Sequence, residues 1–244
     1  MGNSSESREK SSTRAALLAA AEALFTKRGY AAVGTREIAE AAGANLGAIQ
    51  YHFGSKPQLF VEVVRSLMRR RDEGDAATLL MHEPASQEEA VQLLCSFIKA
   101  LMEDIFSPVG YEICRLLFRE ILADTSFDPE MREAIISSAA EDFMRPIGES
   151  LRKVLLKIES RLSEEDLRYT VHSIFGQCVF YFTNQQFIER LCGHNCQSAE
   201  TRQAAARHVA RFTLAALGCS REVIDAGCAN VFGSSQNSDG FDCV

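Results

Sequence analysis

The chain has 244 residues, 46% hydrophobic and 24% charged, with a formal net charge of -7. This length and apolar content allow one large or two modest domains with real cores, and they exclude a disordered or fibrous chain. The net charge excludes a protein that coats nucleic acid with its whole surface. The charge is uneven, however: residues 1–72 carry 11 Lys and Arg against 7 Asp and Glu, whereas residues 73–244 carry 15 against 26. A basic N-terminal part favours phosphate contact through one domain only, and chance asymmetry is the alternative.

Apolar residues recur at intervals of three and four along most of the chain, and the alternation typical of strands is almost absent. We therefore predict an all-α fold. Its expected divisions are a disordered arm at residues 1–12, a small helical domain at 13–72, a larger helical domain at 73–217 and a mobile tail at 218–244.

The N-terminal residues are polar and lack the apolar stretch of a secretory signal. No apolar run approaches the roughly 20 residues that a membrane helix needs. We expect a cytoplasmic protein with no membrane partner. Its eight cysteines are then expected as reduced thiols, several of them in helix cores.

The first predicted helix runs from Thr13 to Arg28, where Leu17, Leu24 and Phe25 share one face and Gly29 ends the helix. Apolar residues at this spacing form a buried stripe. The helix is therefore expected to pack against the helices that follow it.

The stretch Thr35–Lys56 predicts two short helices joined by a tight turn. Thr35 is the expected cap of the first helix, Gly43 the left-handed residue that ends it, and Asn45 the cap of a second helix that runs through Phe53. A hairpin of this size is typical of a helix-turn-helix, whose second helix enters the DNA major groove. A purely structural hairpin has the same apolar spacing and is the alternative.

A fourth helix, at residues 56–71, is predicted to bridge the two domains. Ser55 and Gln58 form its expected capping box, with Pro57 in the first turn. It ends in the basic run Arg69–Arg71, which is either a solvated helix end or a phosphate contact.

Five longer helices are predicted in the larger domain, the first with a capping box of Ser86 and Glu89. Pro146 is expected to kink or split the third. The five are Gln87–Phe106, Val109–Ala123, Pro129–Glu159, Glu164–Leu191 and Ala199–Leu217.

The helix Glu164–Leu191 is apolar nearly all round, so it must be covered on two sides. One cover is the core. For the other we predict a second copy of the chain, with Ala199–Leu217 completing a four-helix interface of a homodimer. A monomer with one deeply buried helix is the alternative.

A ligand pocket is predicted between the helices of the larger domain, with apolar walls and polar anchors. For each aromatic residue, a place in the core is the alternative. The predicted lining residues are Met102, Phe106, Arg115, Phe118, Arg119, Phe143, His172, Phe175, Gln177 and Tyr181.

Cys192, His194 and Cys196 place soft ligands at close spacing, which allows a thiol-responsive or metal-responsive site. A plain Gly-Asn loop between helices explains the same residues, and no second pair of ligands accompanies them, so we predict no metal. No phosphate-binding Gly loop, nucleophile elbow or zinc-protease motif is present, and we predict no enzyme activity and no cofactor. A dimeric adaptor that binds another protein without DNA remains as a further alternative.

The sequence T-R-E-I-A-E-A-A-G followed by A-N-L-G-A-I-Q-Y-H-F-G-S-K, at residues 35–56, resembles the signature of the TetR family of bacterial transcriptional regulators. In the larger domain, L-L-F-R-E-I-L and S-I-F-G-Q-C-V-F-Y resemble the CecR-type subgroup. The resemblance implies a homodimeric regulator, with a DNA-binding domain at 13–72 and a ligand-binding and dimerisation domain at 73–217. It further implies a palindromic double-stranded operator and repression that an unidentified small-molecule inducer releases.

The resemblance also implies which residues meet DNA. Thr35, Tyr51, His52 and Lys56 would contact phosphates, the last at a helix N-terminus where backbone amides favour an anion. Gln50 is the expected base reader, since its amide can pair with adenine, and the Ala48 methyl would meet a thymine methyl. The complete predicted set is Thr35, Arg36, Asn45, Gly47, Ala48, Gln50, Tyr51, His52 and Lys56.

Overall fold

The computed structural model of the protein describes residues 3–72, 75–122 and 129–233, and every regular element in these ranges is a helix. The all-α prediction is confirmed. The first four helices are α1 (Asn3–Arg28), α2 (Thr35–Ala41), α3 (Gly47–Phe53) and α4 (Lys56–Asp72). The next five are α5 (Asp75–Leu79), α6 (Gln87–Phe106), α7 (Pro108–Leu122), α8 (Pro129–Ala139) and α9 (Arg145–Ile158). The last four are α10 (Glu164–Thr183), α11 (Gln185–Cys192), α12 (Ala199–Ala216) and α13 (Arg221–Phe232).

The chain divides into two compact units. The first comprises Met1–Arg70 and Tyr111–Phe143, and the second comprises Arg71–Gly110 and Met144–Val244. The predicted boundary after residue 72 is therefore incomplete, because a later segment of the chain returns to the first unit.

The core of the first unit forms where α1, α2, α3 and α4 meet. The Phe60 ring lies edge-on to those of Phe25 and Tyr30, with both centroid distances at 5.2 Å. Leu17 and Ile38 are fully buried beside them. Aromatic pairs in this geometry add to the free energy that burial of their area contributes.

The first helix ends as predicted, since Gly29 has a φ of 88°, but it begins at Asn3. The prediction of a disordered arm is therefore wrong for residues 3–12. No Gly or Pro interrupts residues 3–28. Once a helix is nucleated, each further residue adds one hydrogen bond, so even a polar segment can extend it.

The predicted split at Pro146 is confirmed, and it takes the form of a π-helical turn at Ala140–Met144 between α8 and α9. Proline has no N–H to continue the α-helical ladder, and its fixed φ suits the first turn of a new helix. Pro146 accordingly lies in the first turn of α9.

The second unit is built around α6, which packs against α5, α9, α10, α12 and α13. Its predicted cap is confirmed, because Ser86 accepts a hydrogen bond from the Glu89 amide at 3.1 Å. Phe97, Ile98 and Met102 of this helix are at most 1% exposed. None of the helices in the described ranges is long and apolar enough to cross a membrane.

The single helix predicted at Glu164–Leu191 is wrong, because the chain breaks at Asn184 between α10 and α11. The Thr183 hydroxyl donates to the Val179 carbonyl at 3.1 Å, and the Asn184 side-chain amide donates to the Phe180 carbonyl at 3.2 Å. Short polar side chains that bond the backbone in this way compete with the helical ladder.

The mobile tail predicted from residue 218 is wrong for residues 221–232, which form α13. Ser220 caps this helix by accepting a hydrogen bond from the Val223 amide. Ile224, Cys228 and Phe232 recur at four-residue spacing and are buried. The remainder of the predicted tail, residues 234–244, lies outside the described residues.

Candidate nucleic-acid interface

The connection between α2 and α3 is longer than predicted. Gly43 takes the expected left-handed conformation with a φ of 63°, and the Ala44 amide donates to the Ala39 carbonyl at 2.9 Å. The third helix begins only at Gly47, so residues 42–46 form the turn.

Neither predicted side-chain cap forms. Gly34 is the N-cap of α2 and Leu46 that of α3, and no side chain caps either helix. Thr35 is instead the first residue of α2, and the Asn45 carbonyl accepts a hydrogen bond from the Ala48 amide at 3.0 Å. The side chains of Thr35 and Asn45 are thus not used as helix caps.

The outer face of α3 carries Gly47, Gln50 and Tyr51, all exposed, and the tyrosine is 68% exposed. At 3.6 residues per turn these three positions lie within about 100° of one another around the helix axis. The opposite face carries Ile49 and Phe53, which are 3% and 7% exposed. One side of α3 therefore holds the helix in the unit, and the other is available to a groove.

The prediction that Ala48 faces the groove is wrong, because this residue is 8% exposed. Gln50 lies two positions further along, or about 200° away around the helix. The two side chains cannot therefore share one face of α3. The Ala48 methyl packs inside the first unit.

The remaining predicted contacts differ in their exposure. Arg36 and Asn45 are exposed, and Thr35 and His52 are half-buried. The rings of Tyr51 and His52 are nearly perpendicular, with centroids 4.9 Å apart.

Lys56 is already engaged within the first unit. Its ammonium donates to the Tyr30 carbonyl at 2.7 Å and lies 3.9 Å from the centre of the Tyr30 ring. The Ser55 hydroxyl, as predicted, accepts from the Gln58 amide at 3.3 Å and so caps the helix that Lys56 begins. The lysine charge is thereby fixed at the start of α4, beside the end of α3.

Leu46, which precedes α3 and is 50% exposed, was not among the predicted contacts. It lies three positions before the buried Ile49, which is the spacing of a buried stripe, so apolar periodicity gave no signal of its exposure.

The predicted ligand-pocket residues are divided between the two units. Arg115, Phe118, Arg119 and Phe143 belong to the first unit, and the other six belong to the second. Arg115, expected as a pocket anchor, donates a hydrogen bond to the Thr26 carbonyl near the end of α1. The side chain of Arg119 lies outside the described residues.

Within the second unit, the six residues differ in their burial. Met102 is fully buried, His172 is exposed, and Phe106, Phe175, Gln177 and Tyr181 are intermediate. The Phe106 ring packs against Phe182 at 5.9 Å, and the Phe175 ring packs against Phe97 at 6.2 Å. For these two aromatic residues the structure favours the core alternative.

A different cleft, of about 820 Å³, lies between α5, α6 and α13, and it contains none of the predicted pocket residues. It is lined by Thr78, Leu79, His82, Leu93, Ser96, Lys99, Ala100, Glu103, Asp104, Asn230 and Val231. Its volume is in the range of small-molecule sites.

Cys192, His194 and Cys196 do not form a metal site in this structure. Among the described residues, no group of three or more His, Cys, Asp or Glu side chains is arranged to hold a metal ion. Gly193 ends α11 with a φ of 68°, and Cys196 is 2% exposed. Burial raises the pKa of the Cys196 thiol, and the nearby Glu189 raises it further.

Two family models match the chain. Residues 17–63 match the model for bacterial regulatory proteins of the tetR family, and residues 90–217 match the C-terminal domain of the HTH-type transcriptional dual regulator CecR.

Curated relatives match part of the chain. The HTH-type transcriptional regulator TtgR of Pseudomonas putida is 32% identical over 114 residues, 47% of this chain and 50% of that protein. The dual regulator CecR of Shigella flexneri is 30% identical over 142 residues, 54% of this chain and 61% of that protein. The chain thus spans about half the length of the relatives that it matches.

Solved structures share the fold. A structure assigned to a TetR-family transcriptional regulator of Mesorhizobium loti has a TM-score of 0.60 at 22% identity, covering 85% of this chain and 97% of that one. The fatty acid degradation regulator FadR of Bacillus halodurans has a TM-score of 0.58 at 18% identity, with coverages of 85% and 97%. The CecR model alone covers more than half of the chain, and the tetR model covers the helix-turn-helix. The chain therefore belongs to the TetR family of bacterial regulatory proteins and has a CecR-type C-terminal domain.

Proposed function

We propose that this protein is a transcriptional regulator that binds a double-stranded operator in a sequence-specific manner. The observation that carries the proposal is the outer face of α3, where Gly47, Gln50 and Tyr51 are exposed together while the other face of the helix is buried. A short helix with one anchored and one exposed polar face is the shape that enters a major groove.

Each exposed group on this surface has a suitable partner on DNA. The Gln50 amide can donate to and accept from one adenine edge, which makes it the base reader. Leu46 takes the apolar role expected of Ala48, against a thymine methyl. Arg36 and Tyr51 are exposed donors for phosphates, which position the helix without reading sequence.

We infer that the regulator works as a homodimer through α10 and α12. Tyr169, His172, Gly176 and Phe180 form an exposed row along α10 at helical spacing. Ala204, His208, Phe212 and Ala215 form a second exposed row along α12, which packs beside α10. Exposed aromatic residues on two neighbouring helices favour a self-complementary four-helix interface across a two-fold axis.

The second unit is the proposed site of a small-molecule inducer, and the cleft between α5, α6 and α13 is its candidate pocket. Repression ends if the inducer prefers a dimer whose two α3 helices no longer match successive grooves. A coupling free energy of roughly 1–3 kcal/mol changes operator affinity by about 5-fold to 150-fold. Binding of candidate compounds without any change in operator affinity would contradict this mechanism.

The proposed function is tested by selecting bound duplexes from a random DNA pool with the full-length protein. The expected result is an enriched palindrome whose half-sites lie about one helical turn, or a multiple of it, apart. Affinity for that sequence should also fall steeply as salt rises, because phosphate contacts release counterions. Failure to enrich any sequence, together with no salt-dependent retention on duplex DNA, would favour the protein-binding adaptor instead.

A further inference from the structure

Two buried cysteines from different helices meet inside the second unit. Cys95 of α6 is 0% exposed and Cys228 of α13 is 3% exposed, and each thiol shifts the pKa of the other. Both are free thiols.

The helices that carry them are held in register on both sides of the thiol pair. Gly227 lies so close to α6 that a Cβ atom there would come within 2.4 Å of a Val91 methyl carbon. One helical turn beyond Cys95, the Lys99 ammonium donates to the Val231 carbonyl at 3.3 Å. Contacts at Val91 and Lys99 thus bracket Cys95 and keep its sulfur facing Cys228.

The surroundings of the two sulfurs differ. The Arg211 guanidinium, whose charge acts on the Cys228 thiol, donates a hydrogen bond to the Asp225 carboxylate at 2.5 Å. The neighbouring Cys95 thiol has the largest effect and lowers the pKa of Cys228; burial raises this pKa, and the charges of Arg211 and Arg207 lower it further. The neighbouring Cys228 thiol, together with burial, raises the pKa of Cys95. Cys228 is thus the thiol of the pair that loses its proton more readily.

We propose that Cys228 and Cys95 form an oxidation site at which a hydroperoxide creates a disulfide between α13 and α6. In the first step the Cys228 thiolate attacks one peroxide oxygen, the O–O bond breaks, and a sulfenic acid and hydroxide form. In the second step the Cys95 sulfur attacks the sulfenic sulfur, the S–O bond breaks, and water leaves with the Cys95 proton. With hydrogen peroxide, the two thiols lose two electrons in all and the peroxide becomes two waters.

Cys178 is a buried cysteine of the same unit that does not belong to this pair. It is 0% exposed, and burial raises the pKa of its thiol to about 12. With so little thiolate at neutral pH, its attack on a peroxide is slow. Cys178 is therefore the matched control for Cys228.

Oxidation at this site would link α6 covalently to α13, a helix that lies beyond residue 217, where the matched CecR domain ends. An oxidised protein would hold α13 on α6 even when the unit opens. The site is independent of the DNA-binding face and does not require the proposed regulatory function.

The test treats reduced full-length protein with stoichiometric hydrogen peroxide, alkylates the remaining thiols and maps the peptides by mass spectrometry. The expected product is one linked pair of peptides that contains Cys95 and Cys228, which dithiothreitol separates. In Cys95→Ser, dimedone should label Cys228, because the sulfenic acid can no longer be resolved. In Cys178→Ser, the linked pair should form as in the wild type.

The peptide map of the oxidised wild-type protein tests the proposal even if a variant folds poorly. Oxidation that leaves Cys95 and Cys228 alkylated, or that links Cys192 to Cys196 instead, would overturn the proposal. Equal alkylation rates of Cys228 and Cys178 in the reduced protein would overturn the assignment of Cys228 as the nucleophile.

Discussion

At the scale of single residues, sequence specificity depends on very few side chains. Gln50 is the polar side chain on the outer face of α3 whose amide can read an adenine edge, and Ala48 is buried beneath it. Base choice is therefore expected to depend on Gln50, with an apolar contribution from Leu46.

Replacing Gln50 with Ala should reduce discrimination at one base pair by about 1–3 kcal/mol, because a bidentate contact is lost. The measurement compares affinities for the selected operator and for its single-base variants. Gln92→Ala, which removes the same amide from a half-exposed position on α6, is the control and should leave discrimination intact. An unchanged base preference in Gln50→Ala would show that another residue reads the sequence.

Replacing Lys56 with Met removes a predicted phosphate contact, so binding to every DNA sequence should weaken alike and the salt slope should fall by about 1. It should also lower the free energy of unfolding by about 1 kcal/mol, since the ammonium leaves the Tyr30 carbonyl and ring. Urea unfolding and salt titration of operator binding measure the two effects separately.

The control for this change is Lys27→Met, which removes the same charge from an exposed position at the end of α1. It should alter neither the salt slope nor stability by a comparable amount. If both variants change the salt slope equally, Lys56 acts only through net charge.

At the scale of helices, α4 is fixed in the first unit by a charged network. Glu62 pairs with Arg14 of α1 at 2.9 Å and with Arg65 at 3.1 Å. Arg65 in turn donates to the Ser138 hydroxyl at 3.0 Å and lies 3.6 Å from the Asp142 carboxylate. The network therefore connects α1 and α4 to α8 and the π-helical turn that follows it.

Replacing Glu62 with Gln should lower the free energy of unfolding at neutral pH by about 0.5–1 kcal/mol, because partly exposed ion pairs contribute little each. Burial acts to raise the pKa of Glu62, but hydrogen bonds from Arg65 and Arg14 outweigh it and hold the pKa below the ordinary value of 4.5. The carboxylate thus stabilises the fold above that pH, and the contribution disappears as the pH falls through the lowered folded-state pKa.

The difference between wild type and Glu62→Gln, measured by urea unfolding, should therefore be present at pH 7 and shrink below about pH 4. Glu40→Gln, at an exposed position on α2, should show no such difference at either pH. If the difference in the free energy of unfolding persists in strong acid, the glutamine disturbs packing rather than charge.

Helix positions were largely predictable from the sequence, and the exceptions have local causes. Caps at Ser55 and Ser86 and the split at Pro146 follow from the chemistry of one or two residues. The break at Asn184 does not, because asparagine and threonine also occur inside helices and only their hydrogen bonds to Val179 and Phe180 show the competition. The helix α13 was not predicted, because the Gly/Ser-rich segment that follows it indicated a mobile tail from residue 218 onward.

At the scale of the whole molecule, the return of residues 111–143 to the first unit could not be predicted from helix periodicity. It depends on contacts between residues far apart in the chain, such as that from Arg115 to the Thr26 carbonyl. The lining of a ligand pocket is hard to predict for a related reason. Apolar spacing shows that an aromatic residue is inward-facing but not whether it meets a cavity or, like Phe175, another ring.

The proposed homodimer is tested at two aromatic residues that are exposed on the second unit. Phe180 of α10 is 53% exposed and Phe212 of α12 is 57% exposed. The double variant Phe180→Glu with Phe212→Glu should be a folded monomer by light scattering, because like charges would meet across the two-fold axis. A monomer engages one half-site at a time, so operator affinity should fall by about 10²-fold or more.

The control variant Met81→Glu changes a residue that is 83% exposed and lies outside these two helices. It should remain dimeric and bind normally. If the double variant stays dimeric, the copies associate through another surface and the aromatic rows on α10 and α12 need a different partner.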